Sequence, residues 1–316
     1  MATSGSIDFS LTRDNVIQDA LELCEVIIPG ATPDAAHVTT VARTLNMMLK
    51  HWQSLHINLF AVQKVYLFLN QDQHEYSISS ASSMAESTTS FVATAINNTA
   101  GYAAGITSIV VDSITGISTT NKIGVEQSDG SMHWTTVNGA PSGSTIVLTA
   151  ATTVTISDNA LVYAYTTRAG RFRKVLEAYR HDAGDNTETP VTIISKKDYW
   201  EQASKASDGP VASIYYDPQI TTGKLWVWPE VDNAVDYLIL HVERTLEDLD
   251  AASNDLDFPQ EWYLPIVYGV AYLSSPKFHV PMGRINMLRS IAEQSLNDAM
   301  DGDTEITSVS FEIDNG

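Results

Sequence analysis

Cysteine is almost absent. Cys24 is the only one in 316 residues, so no intrachain disulfide can form. That usage suits a protein made in a reducing cytoplasm. Within "ALELCEVI", Cys24 falls on an apolar helical face and is expected to be a small core residue. Basic residues are scarce as well: 18 Lys and Arg stand against 38 Asp and Glu, for a net charge of −20. A surface of that sign repels phosphates and anionic membranes, which argues against DNA gripped by its backbone. Long apolar runs are also lacking. The longest, "WYLPIVYGVAYL" (262–273), is too short to span a bilayer and contains Pro265, so no membrane partner is expected. The stretch "MATSGSIDFSLTRD" has no basic segment leading into an apolar run, and no signal peptide is expected.

Enzyme signatures are missing too. There is no G-x-x-x-x-G-K-[ST], H-E-x-x-H, G-x-S-x-G or C-x-x-C. No catalytic residue, cofactor or metal site is singled out, and the chain is not expected to be an enzyme. His51 and His56 are five apart, so on a helix they diverge and make a poor metal pair. Asp301, Asp303 and Glu305 alternate in "DGDTE" but lack the glycine placement and full ligand set of a calcium loop.

What is present is patterned. Thr12 or Asp14 can cap a helix running to about Ile28, with Val16, Ala20, Leu23 and Ile27 on one side. Thr32 reads as the cap of a second helix, with Pro33 first in the helix, ending near Leu55. Its apolar residues Val38, Val41, Leu45, Met48, Trp52 and Leu55 step by three and four. That spacing makes Met47, Met48 and Trp52 a packing face rather than a ligand box. A hairpin pattern follows, "FAVQKVYLFLN" and "HEYSIS" joined by "QDQ".

From about residue 80 to 167 the chain turns rich in Ser, Thr, Ala and Gly. Short alternating runs such as "TSIVVD", "KIGVEQ" and "LVYAYT" are divided by turn residues, as in a small all-β sandwich or barrel. The stretch 170–182, "GRFRKVLEAYRHD", fits a strand or a helix. With Arg168 it concentrates basic residues Arg171, Arg173, Lys174 and Arg180, either a solvated face or a local positive patch. Strands "VASIYYD", "GKLWVWP" and "VDYLILHVER" read as an antiparallel meander. After the acidic loop "TLEDLDAASNDLDF", Pro259 opens a helix apolar nearly all round, expected to be buried and kinked at Pro265. A last helix spans about Met282 to Met300, and "ITSVSFEI" alternates as a terminal strand.

The expected fold class is α+β: a helical bundle, an antiparallel β platform and an inserted small all-β domain. The expected divisions are 1–84 (helices and hairpin), 85–166 (all-β insertion), 167–304 (meander and last helices) and 305–316 (terminal strand).

The run of "TRD", "ALELC", "GATP", "ARTLNMMLKHWQ" and "VYLFLNQDQHEYSI", then "DGSMHWTTV", "YYDPQITTGKLWVWP", "LEDLD" and "DFPQEWYLPIVYGVAYL", resembles head-to-tail adaptor proteins of short-tailed bacteriophages. These are also called packaged-DNA stabilisation or tail accessory proteins. The resemblance implies a structural virion protein, made in the host cytoplasm and placed at the head–tail junction. It implies a homo-oligomeric ring, commonly twelve copies, docked on the portal protein above and on tail nozzle or fibre proteins below. DNA would pass through the lumen without specific binding. Trp262, Tyr263, Val267 and Tyr268, with Val309, Phe311 and Ile313 of the terminal strand, are the expected subunit or portal contacts. Two rival readings are a virion-associated peptidoglycan hydrolase with a poised Glu or Asp, and a host-glycan-binding module. The second would use the insertion's Tyr102, Trp134, Tyr163 and Tyr165.

Overall fold

Helix α1 (Arg13–Leu23) begins where Thr12 and Asn15 cap each other's backbone, in a reciprocal pair of hydrogen bonds. It stops well short of Ile28. Glu25 takes a left-handed backbone (φ 58), and Glu25 N–H and Val26 N–H donate back to the carbonyls of Glu22 and Leu21. That double closure ends a helix as glycine usually does, here on a glutamate. Helix α2 (Ala35–Ser54) is capped by Asp34, whose Oδ1 accepts from Ala36 N–H at 2.7 Å, so the cap lies two residues beyond Thr32. The computed structural model describes residues 5–55, 59–81, 84–86, 91–231 and 233–303.

Past a 3-10 turn at Gln260–Trp262 comes α4 (Tyr263–Ser274), then α5 (Met282–Gly302); a short α3 (Lys196–Glu201) precedes them in the chain. Pro265 occupies the first turn of α4, where no backbone N–H has a partner to lose, so the expected kink has no cause. The α2 stripe Val41, Leu45, Met48 and Trp52 packs with Val16, Ile17 and Leu21 of α1 and with Ile266 and Val270 of α4. Gly269 has a steric reason: a Cβ there would sit 2.8 Å from Met48 Sδ. The acidic loop after Thr245 also contributes to this packing. Its Leu246, Leu249, Leu256 and Phe258 are buried in this same core, and Asn46 holds Leu249 by both its backbone N–H and C=O.

These helices and loops, Met1–Ala61 with Leu246–Gly316, form one compact unit; Val62–Thr245 form another. In the second unit the strands are β1 (Val62–Phe68), β2 (Glu75–Ile78), β3 (Met84–Glu86), β4 (Val92–Ala95) and β5 (Ser108–Val110). Next come β6 (Lys122–Glu126), β7 (Met132–Thr136), β8 (Thr145–Val147), β9 (Leu161–Tyr165) and β10 (Phe172–Asp182). The last are β11 (Thr187–Pro190), β12 (Thr192–Ile193), β13 (Ser213–Asp217), β14 (Gly223–Trp228) and β15 (Tyr237–Arg244). With helices and largely antiparallel sheets, the fold is α+β.

One sheet runs β11-β10-β15-β1-β3 and a second β12-β13-β14-β2. The expected hairpin is therefore absent. β1 pairs with β15 (Val65 opposite Leu240), while β2 pairs with β14 (Tyr76 opposite Leu225). The expected meander also divides: β13 and β14 pair, but β15 crosses to the other sheet. The ambiguous 170–182 stretch is strand β10. Inward residues of both sheets, among them Val65, Leu67, Ile78, Ile214, Val227 and Leu240, share one core.

The stretch from Val92 to Tyr165 builds its own sheet, β4-β9-β6-β7, with a β5-β8 ladder, around Ile96, Ile109, Ile123, Val125, Leu148 and Val162. The strand at Met84–Glu86 pairs with β1, so a boundary at 85 cuts through an element of the first sheet. An aromatic joint fastens the two parts. Phe68 of β1, 1 % exposed, lies among the rings of Phe91, Trp134, Tyr163, Tyr165 and Tyr237 at centroid distances of 4.9 to 6.0 Å.

Candidate functional site

The expected contact residues on α4 and the turn before it lie inward. Trp262 and Tyr263 are buried, as is Val267, and Tyr268 is half-buried against the same core. Trp262 sits within 6 Å of the rings of Trp52, Phe60 and Phe258. These side chains hold the helical unit together. The apolar residues that α4 leaves to solvent are Leu264 (56 % exposed) and Leu273 (44 %). Val309, Phe311 and Ile313 lie outside the described residues.

Leu273 borders an open groove of about 610 Å³ formed by α2, α4 and α5. Met47, Met48, Trp52, Tyr272 and Leu296 supply its apolar walls. Met47 is 57 % exposed and so is not part of the packed stripe, contrary to its expected place on the packing face. Its signal in the sequence is position: an apolar residue one step off a stripe that steps by three and four. At the rim, Lys277 Nζ donates to Thr44 Oγ1 at 2.7 Å, and His51 and Glu293 complete the border. The groove is thus apolar at its floor and carries a cation at its edge, on a chain that is otherwise strongly acidic.

Two of the basic residues in the 170–182 stretch are engaged internally. Arg173 pairs with buried Glu243 at 2.6 Å, and Arg180 lies 2.9 Å from buried Asp236 and 3.3 Å from Asp182. Removing one member of such a pair leaves the other charge buried alone, so these arginines serve the fold. The N–H groups of Asp185 and Gly184, with Arg180 beside them, hold the Asp182 carboxyl below the usual carboxylate range. Asp19 on α1 is the carboxylate pushed upward, by burial and by Glu22 one turn away. Among the described residues no three His, Cys, Asp or Glu side chains gather as a metal site, and His56 and Glu305 lie outside them. No helix among the described residues is long and apolar enough to cross a membrane.

The four insertion aromatics separate into two kinds. Tyr163 donates to the Val235 carbonyl at 2.7 Å, and the Tyr102 hydroxyl accepts from Val110 N–H at 2.8 Å; both are structural. Trp134 and Tyr165 instead line a cavity of about 270 Å³ with Thr135, Thr136 and Arg168. Burial pushes the Tyr165 phenol up, and the neighbouring Arg168 guanidinium opposes that push.

No protein-family model matches the chain, and no curated protein matches it.

Proposed function

We propose that the chain is a structural subunit of a bacteriophage head-to-tail adaptor. Copies would form a closed ring, commonly of twelve, under the portal and above the tail nozzle or fibre proteins, extending the DNA channel and stabilising the packaged genome. The architecture named in this reading is a helical bundle, a β platform and an inserted β domain.

The observation that carries the proposal is the apolar groove between α2, α4 and α5, with Met47 and Leu273 exposed at its lip. Exposed apolar surface of that kind supports docking of another macromolecule there. The occupant proposed is a second copy of this chain, contributing residues 305–316. That segment follows directly on α5, which forms one groove wall, and it alternates apolar Val309, Phe311 and Ile313 with polar residues. Its acidic Glu305, Glu312 and Asp314 are opposite in charge to Lys277 at the rim. The charge of −20 suits a channel wall from which DNA slides rather than one that holds it.

The test is the native mass of the full chain, alone and mixed with the portal of its phage. Wild type should enter a ring on the portal. Met47→Asp with Leu273→Asp, or deletion of 305–316, should leave the chain single while its circular dichroism and melting curve stay unchanged. A wild-type chain that remains monomeric beside the portal, or variants that assemble as wild type does, would overturn the proposal.

A further inference from the structure

The cavity at the end of the insertion sheet makes a chemical demand that the assembly reading does not use. Its walls come from β7, from the last residue of β9 and from the loop after it. Trp134 Nε1, Tyr165 Oη and Arg168 Nε are each buried with no well-formed hydrogen bond, and the Arg168 guanidinium lies near enough to Tyr165 Oη to hold its phenol down. Tyr165 as a whole is 0 % exposed. All three groups can donate, and two of them can do nothing else. A buried donor without an acceptor is costly, and three around one small cavity need a common explanation.

The threonine hydroxyls in the wall are already engaged elsewhere. Thr135 Oγ1 accepts from Ala150 N–H at 3.0 Å, and Thr136 Oγ1 is bonded to Thr149 Oγ1 at 2.8 Å. Arg168 is anchored from its far end, since its Nη1 donates to the Ala81 carbonyl at 2.8 Å. What remains is a wall of donors with a guanidinium among them, which calls for an anionic oxygen acceptor.

The flat surfaces narrow the class further. The Trp134 indole lies against Gly124, where a Cβ would come within 2.8 Å of three ring atoms. Phe68 backs it at 4.9 Å, and Tyr165 meets it edge-on at 5.8 Å. Its plane is therefore fixed before any ligand arrives, and Trp134 as a residue is only half-buried. A fixed indole on a half-buried residue beside a donor cluster suits a sugar ring, whose C–H face packs on the indole while one acidic group meets the donors. A polyphosphate fits poorly, since the chain's net charge of −20 repels each added anion.

We propose that the Trp134–Tyr165–Arg168 cavity binds a carboxylate-bearing saccharide, a hexuronic acid residue, with the carboxylate on the three donors and the ring on Trp134. The inference is independent of ring assembly, and neither stands or falls with the other.

The experiment titrates the full chain with D-glucuronate and follows the indole N–H resonance of Trp134, assigned by its loss in Trp134→Phe. D-Glucose and D-glucuronamide serve as neutral controls, and acetate as a carboxylate without a sugar. Glucuronate should shift the resonance saturably, with the neutral sugars and acetate at least roughly tenfold weaker. Arg168→Gln should lose roughly tenfold or more in affinity. Tyr165→Phe keeps the ring in its aromatic joint and should lose roughly fivefold, with near-ultraviolet circular dichroism unchanged. Absence of a saturable shift, an equal response to glucose, undiminished binding in both variants, or acetate matching glucuronate (an adventitious anion only) would each overturn the proposal.

Discussion

Phe68→Ala should be the most damaging single change in the β unit. The side chain is 1 % exposed and touches five other aromatic rings. Truncating a buried Phe costs about 3 to 5 kcal/mol, depending on how far the neighbours can close the gap. Here they cannot close it well. Tyr163 is tied to the Val235 carbonyl, Tyr237 is stacked on His181 at 4.5 Å, and Trp134 is pressed on Gly124. The cost therefore belongs near the top of the range, about 4 to 5 kcal/mol. With a urea slope of about 2 to 3 kcal/mol/M, the midpoint of the β-unit transition should fall by about 1.3 to 2.5 M. Phe68→Leu refills most of the volume and should cost about 1 to 1.5 kcal/mol. Equilibrium urea unfolding of the full chain, read by tryptophan fluorescence and far-ultraviolet circular dichroism, measures both. The chain has two compact units, so the two probes are fitted without assuming a single transition. A loss below about 1 kcal/mol for the alanine variant would refute the view that this ring fastens the insertion to the platform.

Three further outcomes are expected. Burial raises the phenols of Tyr76, Tyr163 and Tyr216 strongly and those of Tyr199 and Tyr237 to about 12. Their neutral form is favoured by folding, so the stability they contribute is intact below pH 10 and is lost as pH rises toward the folded values. Absorbance at 295 nm should lag a free-tyrosine curve and then rise in one step with unfolding; a smooth curve in the folded state would contradict this. Burial also pushes the Cys24 thiol up to about 11, and its Sγ donates to the Ala271 carbonyl. A disulfide reagent at pH 8 should therefore leave the native chain untouched and label one thiol per chain after denaturation. Asn46→Ala removes both partners of the Leu249 backbone and should cost the helical unit about 1 to 3 kcal/mol, seen as a lower melting temperature and faster cleavage in the 246–258 loop.

The helices were legible because each one's packing is written at short range. The steps of three and four in α2 mark Val41, Leu45, Met48 and Trp52, and all four are buried. Ends were less legible. α1 stops at a left-handed Glu25, which has no sequence signature of the kind glycine provides. Strand partners were hidden for a different reason. β1 and β2 look like a hairpin, yet each bonds a strand more than 140 residues later in the chain (Val65 with Leu240, Glu75 with Trp226). Alternation fixes which face a residue shows, not which strand lies beside it. The apolar character of "WYLPIVYGVAYL" was plain, but a single sequence cannot divide one chain's core from another chain's contact, and Trp262 and Val267 went to the former. Likewise the insertion aromatics were visible as a set, whereas only bonding geometry separates Tyr102 and Tyr163 from Trp134 and Tyr165.

The helical unit is discontinuous, with the whole β unit threaded between its halves at Ala61 and Leu246. Translation therefore delivers α1 and α2 long before α4 and α5 exist. The stripe of Val41, Leu45, Met48 and Trp52 leaves the ribosome with its main cover still unmade, while the β unit already has every strand it needs. Domains fold in the order they emerge, so the nascent chain should present a finished β unit carrying a sticky, half-built helical pair. A stop codon placed just after Thr245 would release that intermediate, and holdase chaperones should capture it far more readily than the full-length product.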